Sequence, residues 1–488
     1  MPNLIVNSGP GTGKSYTGER ITLYLRAANK ELFLERNKHT EEQLAIWKAA
    51  EEICPNPKKM IYMAYNNDTV EKSKKNVHKD CDTRTSHGAG YSVLNTRFGY
   101  LKLTNNRGMF LVQKMTGKLF NDLPDKFKWL STIKFVEKLK DELLAPTPEN
   151  LEAMKDKYDG LANFPIHPQI EDQATKLMNA MKVPDRKIGI EYIDQVWLPL
   201  FMLKKPVYDL GIIDEAQDLS PARLLLARLL CANCIFIGDP DQAINAFAGA
   251  DPKSFDKIKE HCSQELSLKV SFRCPANIIN KANRLTPRAK LRGVKEDSGK
   301  EKRITLKELT NHLPDRLANG LIICRTNAPL IQASLKLMKA EIPNRILGDR
   351  LVNNLLSLVK YRKARSIEEL AVKLDDYENK SCAQVKDYMK EVIRDKCDCI
   401  RQILPLCSTI DDIEPAIKSL LKPRKDEDHI SLCTIHKAKG MERPNIYILF
   451  PPVESEYAKT PDQKDQERNL HFVAITRTSK DLYWVEPD

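Results

Sequence analysis

The chain has 488 residues, 42% hydrophobic and 30% charged, and carries 78 lysines and arginines against 66 aspartates and glutamates, a formal net charge of +12. That length exceeds one hydrophobic core and predicts three or four compact units, while the charge suits a polyanion partner whose phosphates give up counterions to Lys and Arg. No apolar run approaches the roughly 20 residues of a membrane span and no secretory pattern precedes the first strand, so no membrane partner and a cytoplasmic protein are expected, with a nuclear one as the alternative.

LIVN (4–7) reads as a short buried strand, and the glycine-rich SGPGTGKS (8–15) that follows runs into the helical TGERITLYLRAANKEL (17–32). MIYMAY (60–65), DLGIID (209–214) and CIFIG (234–238) read as three more strands. Buried strands separated by helices imply a parallel sheet covered on both faces. From about 96 to 205 the pattern is helical and lysine-rich, an insertion between strands. A second α/β unit starts near residue 266, with strands at GLIICR (320–325), ISLCTI (430–435) and NIYILF (445–450). No glycine occurs between Gly348 and Gly440, and Leu, Ile and Val recur at helical spacing there, so 351–425 reads as a second helical insertion.

Two cysteine groups bear on metal. Cys231 and Cys234 form a CxxC running into a strand and read as buried thiols; Cys382, Cys397, Cys399 and Cys407 lack paired zinc spacing, so no structural metal is expected. The basic, turn-rich run 284–303 reads as a solvated loop rather than a nucleic-acid contact.

Strand, glycine loop and helix together predict a phosphate cradle. Gly11 and Gly13 let successive N–H groups point at a phosphate, Thr12 and Tyr16 flank the site, Lys14 reaches the β- and γ-phosphates, and Ser15 offers its hydroxyl to Mg²⁺. The first position of the usual G-x-x-x-x-G-K-[ST] pattern is Ser8 here. DLGIIDEAQDLS supplies the second half: a strand ending in Asp214 to hold Mg²⁺ and Glu215 to orient and deprotonate the attacking water. The pair predicts a nucleoside-triphosphatase using Mg²⁺.

The remaining motifs carry a resemblance. IGDPDQAINAFAGAD, LKVSFRCPANIINKANRL, ISLCTIHKAKGMERPNIYIL and QERNLHFVAITRTSKDLYWV resemble, in that order, motifs III to VI of the UvrD/PcrA/Rep group of superfamily 1 helicases. MAYNNDTVEKSKKN and TRTSHGAGYSVL resemble motifs Ia and Ib. The resemblance implies an α/β fold of two RecA-like parallel-sheet motor domains in tandem, each with a helical insertion: 1–95 with 196–265, inserted at 96–195, then 266–350 with 426–488, inserted at 351–425. It implies ATP hydrolysed between the domains, Gln242 sensing the γ-phosphate or the water, Arg273 and Arg477 as arginine fingers, Glu442 on the ribose and Phe272 on the base. It further implies single-stranded DNA gripped by Tyr65, His87, Phe247 and His436, strand separation at duplex junctions with 3′–5′ polarity, and a monomer able to work with a nuclease or a replication or repair partner. A single-strand translocase or accessory ATPase with little unwinding is the alternative.

Some residues depart from the group's pattern. Its glutamine motif, about twenty residues before the P-loop, has no counterpart here, which leaves adenine selection open. Where motif III usually reads like IYxWRGAD, this chain has Ile244, Asn245, Ala246, Phe247 and Ala248, so one aromatic and one arginine are missing, and Asn66 and Asp68 replace the usual Thr and basic residue of motif Ia.

Overall fold

Each apolar run read as a strand pairs in parallel with another. The computed structural model describes residues 2–161, 164–244, 254–286, 290–295, 299–385, 387–420, 428–450, 454–455 and 458–488. The chain divides into two compact units, Met1–Lys269 and Val270–Asp488.

The first unit holds a six-stranded parallel sheet built from β1 (Leu4–Ser8), β2 (Met60–Ala64), β3 (Cys81–Thr85), β4 (Tyr208–Ile213), β5 (Cys231–Gly238) and β6 (Gln264–Leu268), in the order β3-β2-β4-β5-β1-β6. Alternation along the strands explains its three layers. Leu4, Val6, Met60, Tyr62, Leu210, Ile212, Ile235 and Ile237 face one side, packed with Ile21, Tyr24, Ile46 and Trp47 of helices Lys14–Arg26 and Glu41–Ile53. Ile5, Ile61, Met63, Ile213 and Phe236 face the other, against Ala89, Val196, Ala222 and Leu226. A strand with apolar residues on both sides has to be sandwiched, which is why these segments read as continuous hydrophobic runs.

The second unit repeats the plan. β9 (Glu301–Thr305), β10 (Gly320–Cys324), β11 (Asn344–Ile346), β12 (Ile430–Thr434), β13 (Arg443–Leu449) and β14 (Thr478–Glu486) form a parallel sheet ordered β11-β12-β10-β13-β14-β9, beside a two-stranded ladder of β7 (Val270–Pro275) and β8 (Arg292–Lys295). One face packs Ile322, Leu432, Tyr447 and Val485 against helices Ala328–Lys339, Ile367–Gln384 and Asp387–Ile403. The chain is therefore α/β, with two parallel-sheet units in tandem. The run 284–303, read from sequence as a solvated loop, contains β8 and the start of β9 instead. Their residues are mostly polar and part-exposed, so no apolar alternation announces them. Cys231, Cys234, Cys397 and Cys399 are all buried. Among the described residues no helix is long and apolar enough to cross a membrane.

The helical segment between β3 and β4 is held together by a buried charge network of its own. Asp194 accepts from Lys140 Nζ at 2.8 Å and from Arg107, and all three side chains are fully buried. Arg107 also donates to the carbonyls of Met181 and Val183, and Lys140 lies 3.2 Å from Glu191. Helix Asp194–Trp197, which carries the shared carboxylate, lies against helix Ser86–Phe98 so closely that a Cβ on Gly90 would meet the Gln195 carbonyl oxygen at 1.9 Å. Burial pushes the Asp194 carboxyl up, but Lys140 and Arg107 outweigh it, and the net pKa is lowered.

Removing one partner of such a group strands a buried charge. Asp194→Ala is expected to destabilise the first unit by about 3–5 kcal/mol in denaturant titration. Because the folded pKa is depressed, the contribution of Asp194 is complete above about pH 4 and is lost as pH falls through its folded value. The gap between wild type and Asp194→Ala should therefore narrow in acid.

Candidate nucleotide and nucleic-acid site

Strand β1 delivers its chain into a loop that only glycine can complete. Gly11 and Gly13 have φ of +71° and +79°, the left-handed region, and Gly13 caps helix Lys14–Arg26. A side chain at Gly13 would be strained and would sit 3.1 Å from Gln43 Nε2. Thr12 Oγ1 donates to the Gly9 carbonyl at 2.9 Å, which braces the loop. Ser8, the departure from the usual pattern, has a structural use: its hydroxyl donates to the Gly238 carbonyl at 2.7 Å and joins the ends of β1 and β5. The helix start then presents its N–H groups and positive dipole end to an anion. Tyr16, in the first helical turn, donates its hydroxyl to the Lys38 carbonyl at 2.8 Å.

Parallel topology brings β4 to the same edge. Asp214 Oδ2 accepts from Ser15 Oγ and from the Tyr62 hydroxyl, each at 2.8 Å. Burial raises the Asp214 pKa, Glu215 adds to this, and Lys14, Tyr62 and Ser15 oppose it. Glu215 follows at φ +54°, uncommon for a residue with a side chain and a form of strain that collects at functional sites. Its Oε1 lies 3.6 Å from Lys14 Nζ, and its Oε2 accepts from Gln217 Nε2 at 2.5 Å. Gln242 donates to the Asp239 carboxylate. Burial pushes the Asp239 carboxyl up to about 7 against the pull of Lys14. The hydroxyl of Ser15 and the carboxylate of Asp214 are hard oxygen donors of the kind Mg²⁺ takes when it also binds phosphates, so these residues fit that ion.

On the same unit Tyr65, just past β2, is half-exposed, with its phenol pKa raised by burial and by Asp218. His87, in the first turn of helix Ser86–Phe98, stacks on Tyr192 with ring centroids 3.9 Å apart. Burial, then Arg223, drives its pKa down to about 3, so the ring is neutral at physiological pH. One cavity is lined jointly by Tyr65, Ser86, His87, Asp214, Glu215 and Arg223. It joins the acidic pair to the aromatic side chains. Phe247 lies outside the described residues, as does the rest of 245–253.

In the second unit, Arg273 and Phe272 sit on β7, and Phe272 is half-exposed. Arg273 Nε donates to Glu442 Oε2 at 2.6 Å and a terminal nitrogen reaches the Thr476 carbonyl at 3.4 Å. Arg477 is 1% exposed, with its guanidinium donating to the carbonyls of Val473 and Met441. Arg273, Glu442 and Arg477 are thus gathered around residues 441–442 and 473–477. His436 is driven down to about 4 by burial and by Arg325, so it too is neutral.

The UvrD/REP helicase N-terminal domain family matches residues 2–263, and the UvrD-like helicase C-terminal domain matches 349–486. This chain belongs to the UvrD-like helicase family. It is 28% identical over 311 residues to F-box DNA helicase protein 1 of Schizosaccharomyces pombe, covering 56% of this chain and 33% of that protein. It is 21% identical over 393 residues to the ATP-dependent DNA helicase PcrA of Staphylococcus epidermidis, covering 56% and 54%, and 21% identical over 479 residues to F-box DNA helicase 1 of Gallus gallus, covering 86% and 44%. The chain spans about a third to a half of the length of these relatives. Among solved structures, an arterivirus nonstructural protein 10 helicase aligns with a TM-score of 0.33 at 10% identity, over 99% of this chain and 59% of that one.

Sequence reading missed Tyr62, Gln217, Asp239 and Arg223. Tyr62 sits on a strand and its partner Asp214 lies 152 residues away, so no local pattern marks it, while Asp239 lies within the motif III stretch, which does not single it out. Gln217 was within the quoted DEAQD, and only the fold shows what its amide reaches.

Asp239 gives this site a pH signature. Its folded pKa is raised, so its contribution to stability is fully present below about pH 4 and is lost as pH rises through about 7. Melting curves of wild type and Asp239→Asn are expected to diverge between pH 5 and pH 8, with wild type losing ground as pH rises. Parallel curves would mean that the carboxyl is ionised throughout.

Proposed function

We propose that this chain is an ATP-dependent DNA helicase that translocates on single-stranded DNA with 3′–5′ polarity and opens duplex junctions. The supporting observation is the cluster at the carboxyl edge of the first sheet. Lys14, Ser15, Asp214 and Glu215 come from two segments about 200 residues apart and meet within hydrogen-bond or ion-pair distance. This set suits in-line phosphoryl transfer to water. Glu215 takes a proton from the water, whose oxygen attacks the γ-phosphorus, and the bond to the β,γ-bridging oxygen breaks to release ADP. Lys14 and the loop N–H groups stabilise charge on the phosphate oxygens. Mg²⁺, held through Ser15 and Asp214, would neutralise charge on the β- and γ-oxygens.

In this reading Arg273 and Arg477 act as arginine fingers on ATP, and Gln242 reports the γ-phosphate. An arginine finger contributes about 10³–10⁵ in rate in such enzymes. Phe272 and Glu442 then hold base and ribose. The cavity that joins Glu215 to Tyr65 and His87 supports coupling of this chemistry to a strand stacked on the aromatic residues, where each base–aromatic contact is worth about 1–3 kcal/mol. Phe247 and His436 complete the strand path in this reading, and the protein acts as a monomer. The motif III segment 244–248, which lacks one aromatic and one arginine of the usual pattern, favours a second reading: a translocase or accessory ATPase that unwinds little without a partner such as a nuclease.

Two expectations follow from the roles assigned. Lys14→Ala should reduce ATP hydrolysis by at least about 10³-fold while oligo-dT binding, followed by fluorescence anisotropy, stays near that of wild type; joint loss in a folded protein would contradict separate sites. On duplexes with 3′ or 5′ tails, wild type should displace strands only from the 3′-tailed substrate. Hydrolysis stimulated by single strands with no displacement from either substrate would select the translocase reading.

A further inference from the structure

Glu215 has two carboxylate oxygens, and the fold treats them differently. Oε1 faces Lys14 Nζ at 3.6 Å, while Oε2 is held by the Gln217 amide at 2.5 Å. The other end of that amide is also engaged: Gln217 Oε1 accepts the backbone N–H of Asp239 at 2.9 Å. Gln217 is 1% exposed and its bond to the Asp239 N–H is buried, while the Glu215 carboxylate it holds is part-exposed. Gly238 makes room for it, since a Cβ there would lie 2.6 Å from Gln217 Oε1 and 3.1 Å from its backbone nitrogen. Asp239 in turn accepts from Gln242 Nε2 through its carboxylate and from the Gln242 N–H, at 3.0 Å, through its carbonyl. A continuous chain of hydrogen bonds runs from Glu215 through Gln217 and Asp239 to Gln242.

We propose that Gln217 is the positioning residue for Glu215, fixing Oε2 so that Oε1 is the oxygen that takes the proton from water, and that it links this orientation to Gln242. The inference rests on the hydrolase reading above. The chemistry selects glutamine. The residue has to donate to an ionised carboxylate, which only accepts, and at the same time accept from a backbone N–H. A carboxamide of this length does both. Glutamate offers Glu215 a second acceptor and a like charge, lysine and arginine cannot accept, and methionine does neither. The left-handed backbone at Glu215 adds to the need for an external hold, because a strained residue keeps its geometry only when its surroundings over-determine it.

The test is single-turnover ATP hydrolysis by the full chain with Mg²⁺ and saturating oligo-dT, run alongside affinity for a fluorescent ATP analogue and thermal melting. Gln217→Met fills a similar volume with neither bond; it is expected to slow the hydrolysis step by about 10- to 100-fold, the cost of a misplaced base, with nucleotide affinity within about 3-fold, since no contact to the phosphates is removed. Should Gln217→Met fail to melt cooperatively, Gln217→Asn, an uncharged amide one methylene too short to bridge Glu215 and the Asp239 N–H, serves as the second variant with the same expectation. A hydrolysis step within about 2-fold of wild type in a folded variant overturns the proposal, as does a loss of nucleotide affinity equal to the loss of rate. Glu215→Gln, measured in parallel, separates this inference from its foundation. An inactive Glu215→Gln beside an unimpaired Gln217→Met removes only the positioning role, whereas an active Glu215→Gln removes the assignment of Glu215 as the base, on which the inference rests.

Discussion

One carboxylate, Asp214, holds the first unit's chemistry together. It directly follows β4, accepts the Ser15 hydroxyl from the start of helix Lys14–Arg26 and accepts the Tyr62 hydroxyl from β2. Three segments separated by up to 199 residues are thereby fixed at one point on the carboxyl edge of the sheet. Parallel strands make this possible, because each one delivers its C-terminal loop to the same edge. The glycine loop, the strained Glu215 and the Gln217 amide are arranged around that point, and their positions have meaning only relative to it.

The electrostatics explain why the cluster suits a magnesium-bound polyphosphate. Asp214, Glu215 and Asp239 crowd a region where Lys14 is the cation that acts on both aspartates, and the pKa values of both aspartates are raised by burial. Carboxylates taken out of water resist ionisation unless a cation is supplied. A divalent ion bound together with a nucleotide's phosphates meets that need, and Lys14 is positioned to share the anionic charge. Elsewhere in the same unit, Asp194 solves the same problem within the protein by recruiting Lys140 and Arg107. One buried acid is satisfied internally and supports the fold; the other is satisfied in part and serves the site.

How much of this was legible beforehand depends on how local each signal is. β1, β2, β4, β5, β10, β12 and β13 were readable because burial on both faces produces continuous apolar runs, and the phosphate loop because its glycines and lysine are contiguous. β3, β8, β9 and β11 are short and carry polar residues, such as CDTRT and EKRIT, so only pairing with a neighbour defines them. The partners of Asp194 lie 54 and 87 residues away, beyond any window that a periodicity analysis covers. Among site residues, Lys14, Ser15, Asp214 and Glu215 were found by motif and are brought together by the fold. The neutrality of His87 and His436 depends on burial and on Arg223 and Arg325, information that residue type alone does not carry.

The central claim is that Ser15 and Asp214 form a magnesium-dependent nucleotide site with the glycine loop. Isothermal titration of the full chain with ATPγS, once with Mg²⁺ and once with excess EDTA, tests it directly. The account predicts a single site whose affinity falls at least about tenfold without the ion, a loss of about 1.4 kcal/mol or more. Equal affinity in both buffers, or no binding in either, would contradict it.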